Sequence, residues 1–71
     1  MIAHAEIRAT LPHCRRKVNV YRDGEVEFME FTKEGYNLIF KTEKLQCGGF
    51  LEGQQLGLQF AEKGRVAMPI N

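Results

Sequence analysis

Polar and apolar residues alternate along most of this chain, which is the period of a strand with one buried face. Ala3, Ala5, Ile7, Ala9 and Leu11 share one side, and His4, Glu6, Arg8 and Thr10 the other. That pattern predicts a half-buried strand closed by Pro12, which has no N–H to give a ladder. The alanines leave a helix open as an alternative for this segment. Arg16–Tyr21 and Glu25–Thr32 alternate in the same way around Arg22-Asp23-Gly24. A three-residue loop there sets Val20 opposite Val26, Val18 opposite Phe28 and Arg16 opposite Glu30. It keeps one face apolar and puts Gly24 where such loops need a left-handed residue. Lys33-Glu34-Gly35 reads as a second loop of the same kind. It sets Phe28 opposite Phe40, Met29 opposite Ile39 and Phe31 opposite Asn37.

These readings give a three-stranded meander, Arg16–Tyr21, Val26–Thr32 and Tyr36–Thr42. One face carries Val18, Val20, Val26, Phe28, Leu38 and Phe40. The other mixes Met29, Phe31 and Ile39 with polar residues, which is too apolar to be fully solvated. Glu43–Gln54, with Cys47-Gly48-Gly49 and Gly53, reads as loop. Leu56, Leu58 and Phe60 alternate and predict a fifth strand over Gln55–Phe60. Ala61–Gly64 reads as a turn, and Arg65–Ile70 as a last strand with Pro69 at its end. The expected fold class is all-β: a single domain over residues 1–71, built as a small antiparallel β-barrel of five to six strands.

With 71 residues, the chain is one small domain with a thin core. Ten basic against nine acidic residues give a net charge of +1, which supplies no global field toward nucleic acid or an acidic membrane. Two cysteines, Cys14 and Cys47, fit a reducing compartment better than a disulfide scaffold. The N-terminus does not read as a signal peptide, and no run is long enough to span a bilayer. A cytoplasmic protein is expected.

Glu30-Phe31-Thr32-Lys33-Glu34-Gly35, the alternation Tyr36-Asn37-Leu38-Ile39-Phe40, and Leu51-Glu52-Gly53 leading into Gln54–Phe60 together resemble a PilZ domain. These bacterial β-barrels carry an Asp/Asn-x-Ser-x-x-Gly turn, and many bind cyclic di-GMP. Glu30 stands where the family has Asp or Asn, Thr32 where it has Ser, and Gly35 is identical. The family's Arg-x-x-x-Arg motif is missing, and Arg15-Arg16-Lys17 is spaced differently. Members without these motifs are thought to act through protein contacts. The resemblance therefore implies a non-catalytic regulatory or adaptor module with a weak or lost cyclic di-GMP site. Arg15, Arg16, Glu30, Thr32 and Gly35 would be its ligand-binding residues. Met29, Phe31, Tyr36 and Ile39 would form a patch for a protein partner or a second copy.

The residues have plainer readings as well. Arg15, Arg16 and Lys17 alternate in direction along a strand, so they are not one patch, and Arg16 is set to pair with Glu30. A hairpin explains Gly35 without a ligand. His4, His13, Cys14 and Cys47 lack the paired spacing of a zinc site, so no metal or other cofactor is expected. Cys47 has no neighbouring base to activate it, and no catalytic motif is present, so no catalytic residue is assigned. The competing class is a small nucleic-acid-binding barrel of the OB type. Among Tyr21, Phe28, Phe31, Tyr36, Phe40 and Phe50, Phe31 and Tyr36 flank a turn and are its best stacking candidates. Nucleic acid ranks below a protein partner because the net charge is near zero. No membrane contact is expected.

Overall fold

A computed structural model describes residues 4–64. Four strands, β1 (Ala5–Leu11), β2 (Cys14–Val20), β3 (Glu25–Glu34) and β4 (Asn37–Gln46), precede one helix, α1 (Phe50–Lys63). The strands form an antiparallel meander in the order β1-β2-β3-β4. The fold is therefore mixed α/β, an open four-stranded sheet with a helix, and the expected closed β-barrel is not formed. The strand expected over Arg65–Ile70 lies outside the described residues.

The first two hairpins follow the alternation. Ala5, Ile7, Ala9 and Leu11 pair with Val20, Val18, Arg16 and Cys14. In the second hairpin Val20 faces Val26, Val18 faces Phe28 and Arg16 faces Glu30, the register expected from a three-residue loop. Gly24 closes that loop at φ 96°, a conformation that a side chain would strain. Its N–H donates to the Tyr21 carbonyl at 3.0 Å, and its own carbonyl accepts from the Cys47 N–H at 2.9 Å. The turn thus anchors the chain leaving β4.

The third hairpin departs from expectation. Lys33 and Glu34 belong to β3, and the turn is Gly35-Tyr36. Gly35 takes φ 62° and Tyr36 does not, as in a type II′ turn. Phe28 consequently faces Glu43 rather than Phe40, Met29 faces Thr42, and Phe31 faces Phe40. The slip is three residues, an odd number, so every β4 side chain changes face. The observed register gains a longer ladder and sets Leu45 opposite buried Val26.

The larger departure is the helix. Leu56, Leu58 and Phe60 alternate as in a strand, yet Gly53, Leu56, Gly57, Phe60 and Ala61 are the buried residues, which is helical spacing. Leu58 is exposed. No β-branched residue occurs between Phe50 and Lys63, which favours helix over strand. Glu52 in the first turn and Lys63 in the last complement the helix dipole.

Helix α1 covers one face of the sheet. Val18, Val20, Val26, Phe28, Leu56, Phe60 and Ala61 form the core, joined by Ala5, Ile7, Ala9, Leu45, Cys47 and Phe50 at its margin. The Phe28 and Phe60 rings meet with centroids 4.2 Å apart. Two glycines let the helix come close. A Cβ at Gly53 would lie 3.0 Å from Val26 Cγ2, and one at Gly57 3.0 Å from Val18 Cγ1 and 3.2 Å from Ile7 Cδ1. Gly57→Val is therefore expected to lower unfolding free energy by about 2–3 kcal/mol through overpacking. Leu58→Gln on the outer side should change it by less than about 0.5 kcal/mol. Urea denaturation of both variants checks this, and equal midpoints would refute the tight contact.

Candidate functional site

No described element covers the second face of the sheet. The strand registers arrange that face in rows. Running from β1 to β4, one row is Thr10, Arg15, Phe31 and Phe40, and the next is Arg8, Lys17, Met29 and Thr42. Lys33 and Leu38 sit above them, toward the Gly35-Tyr36 turn. Below come Glu6, Asn19, Glu27 and Lys44, then Glu25 and Gln46. Charge is therefore segregated along the strands. The upper rows hold Arg8, Arg15, Lys17 and Lys33 with no carboxylate, and the acids of this face collect below. An open hollow of about 800 Å³ wraps the β1–β2 hairpin end, lined from this face by Arg8, Arg15, Lys17, Phe31 and Lys33 and from the helix side by Arg16 and Thr32, and no Asp or Glu lines it.

Apolar area lies among those cations. The Phe31 and Phe40 rings touch, with centroids 4.6 Å apart and planes 32° from parallel. They are 49% and 54% exposed, and Leu38 is 80% exposed. Tyr36 stands fully in solvent at the hairpin tip. The cations differ in how far they are engaged. Glu6 accepts from Arg8 Nε at 2.8 Å and lies 3.3 Å from Lys17 Nζ. Those two bonds, Arg8's being the larger influence, hold the Glu6 carboxyl below its ordinary range. Among the described residues, neither Arg15 nor Lys33 is in an ion pair. In the row below, Glu27 accepts hydrogen bonds from Asn19 Nδ2 and Tyr21 Oη, both at 3.2 Å. Tyr21 is raised above its ordinary value by desolvation and by the Glu27 charge.

The residues expected to bind a ligand are divided between the two faces. Arg15 is on the open face, while Arg16, Glu30 and Thr32 are on the helix side, and Gly35 is in the turn. Arg15 and Arg16 therefore do not form one grip. Arg16 is engaged in holding the fold together. Its Nε donates to Glu30 Oε2 at 2.9 Å, and its Nη1 donates to the Ala61 carbonyl at 3.1 Å and the Glu62 carbonyl at 3.4 Å. Both partners of the ion pair are largely buried. The guanidinium thus satisfies carbonyls left over at the helix C-terminus, where positive charge is favoured. Thr32 donates weakly to Cys14 Sγ at 3.9 Å.

Of the expected partner-binding residues, Met29 and Phe31 are on the open face, Tyr36 is at its tip, and Ile39 is on the opposite side beside Thr32. Sequence reasoning placed Phe40 in the core and did not assign Leu38 or Lys33 to any site. The odd register slip moved the first two, and Gly35 marks the turn in either register without distinguishing them.

The cysteines are free. Burial pushes the Cys47 thiol up, and the Glu52 carboxylate adds to this, which makes it a poor nucleophile despite its place before the helix. Among the described residues no three His, Cys, Asp or Glu side chains are grouped to hold a metal ion. No described helix is long and apolar enough to cross a membrane.

No family model matches the chain, and neither a curated protein nor a solved structure matches it. The PilZ resemblance is overturned by the fold. Its turn motif spans β3 and the Gly35-Tyr36 turn of an open sheet, and its glycine-led next strand is helix α1. The PilZ-like adaptor, its inherited cyclic di-GMP site and the OB-type alternative all required a barrel that is absent.

The two neighbouring arginines should separate by experiment. Arg16→Gln leaves Glu30 unpaired and the last helical carbonyls unsatisfied, and is expected to lose about 2 kcal/mol of stability. Arg15→Gln should stay within about 0.5 kcal/mol of the parent. Thermal unfolding reads both, and a destabilised Arg15→Gln beside an unaffected Arg16→Gln would reverse the assignment.

Proposed function

We propose that this protein is a non-catalytic binding module that presents the upper half of its open sheet face to an extended, negatively charged partner. The observation that carries this is the acid-free set Arg8, Arg15, Lys17 and Lys33 on β1 to β3, flanking the exposed Phe31–Phe40 pair. A cluster of charges of one sign steers the approach of an oppositely charged partner. The chemistry on the face is that of recognition: it offers rings, hydroxyls and fixed positive charge. The free thiols of Cys14 and Cys47 support a reducing compartment such as the cytoplasm.

An amide NMR titration with a heparin hexasaccharide, a plain polyanion, tests this reading. Saturable shifts are expected at Arg15, Lys17, Phe31, Lys33 and Phe40, and they should fade as salt is raised. Polylysine should leave the same amides in place. Shifts confined to the outer side of α1, or none at low salt, would dismiss the open face as the binding surface.

A further inference from the structure

We infer that the occupant of this face is a single-stranded nucleic acid, with bases stacked on Phe31 and Phe40 and phosphates held by Arg15 and Lys33. The inference rests on the anionic-partner reading above and adds the identity of the anion. The rings are the reason. Phe31 and Phe40 are packed face to face with a 32° tilt and are half exposed, so each keeps an outer face open to a base, Phe31 beside Arg15 and Phe40 on the edge strand β4. The Asp and Glu side chains of an acidic peptide have no ring to place there. A double helix keeps its bases inside and offers this face only phosphate and sugar. A single strand offers both parts at once, a charged backbone and unpaired bases with open faces.

The surrounding residues agree with that chemistry. Arg15 sits beside Phe31 in the same row, and Lys33 is one row above it on the same strand. Both are without an ion pair among the described residues, so a phosphate displaces no protein carboxylate. Arg8 and Lys17 share Glu6 and form the lower border of the positive area. Glu6, Glu25 and Glu27 below it repel a phosphate backbone and confine the strand to the upper rows. Those rows contain no Asn or Gln, the side chains that pair with adenine edges. Binding is thus expected to be tolerant of sequence.

The test is fluorescence anisotropy of a labelled thymidine 12-mer with the full chain, alongside a duplex 12-mer and polyglutamate of equal charge. The 12-mer is expected to bind most tightly of the three. With two phosphates neutralised, a fourfold rise in salt should weaken it about sevenfold. Phe31→Ala should weaken it about tenfold or more, and Phe31→Trp should restore binding. Phe31 is half exposed, so its truncation leaves the core intact, and a dispersed amide spectrum verifies that. Arg15→Gln should flatten the salt dependence. Polyglutamate bound as tightly as the 12-mer, or full affinity in Phe31→Ala, would overturn nucleic acid while leaving a general anion site. Failure of every polyanion to bind, or burial of Phe31 in a dimer, would overturn both.

Discussion

Everything in this small domain depends on how closely α1 lies against the sheet. The helix meets Val18, Val20 and Val26 through Gly53 and Gly57, positions where a methyl group would already be within 3.0 Å of a valine. That proximity lets Leu56 and Phe60 reach down on either side and bury Phe28. A chain of this length has few apolar residues to spend on a core, and close packing makes each one count. Gly24 contributes from the other direction. Its left-handed turn holds the Cys47 N–H and leads the chain from β4 into the helix.

Once the helix claims one face, alternation assigns the other. Arg16 and Arg15 are consecutive, yet one clamps the helix C-terminus and the other faces away from the helix with Phe31. The clamp is possible because Arg16 stands opposite Glu30, whose carboxylate orients the guanidinium while its remaining N–H groups meet the Ala61 and Glu62 carbonyls. Neutralising Glu30 in this way keeps its charge from the open face. The acids of that face lie toward the opposite end of the strands. A chain with a net charge of +1 therefore carries a strongly one-signed area. Net charge is a sum over the surface, whereas a ligand responds to the field where it lands.

Much of the sheet was legible. Alternation predicted the first strand, and the Asp23-Gly24 turn predicted one hairpin and its register, because a buried face penalises any other pairing. The Arg16–Glu30 pair came with that register. The third hairpin was legible only in part. Gly35 marked the turn, but a glycine with positive φ serves a three-residue loop and a type II′ turn alike, and the choice moved Leu38, Ile39 and Phe40 to new faces. The helix was misread because its buried stripe is Gly53, Leu56, Gly57, Phe60 and Ala61. Three of those five residues carry little or no apolar surface, so hydrophobic periodicity could not reveal them. The informative signal was an absence: no Val, Ile or Thr between Phe50 and Lys63.

By itself the sequence determined the strand alternation of the first three strands and the Asp23-Gly24 turn with its register. These depend on neighbours along the chain, where local sterics and period-two patterning act. Only the tertiary structure decided that the sheet stays open, that the last element is a helix, and that Phe31 meets Phe40 among cations. Those outcomes depend on which apolar face finds a cover, and a glycine-lined helix declares its fit only when it is set against the valines it touches.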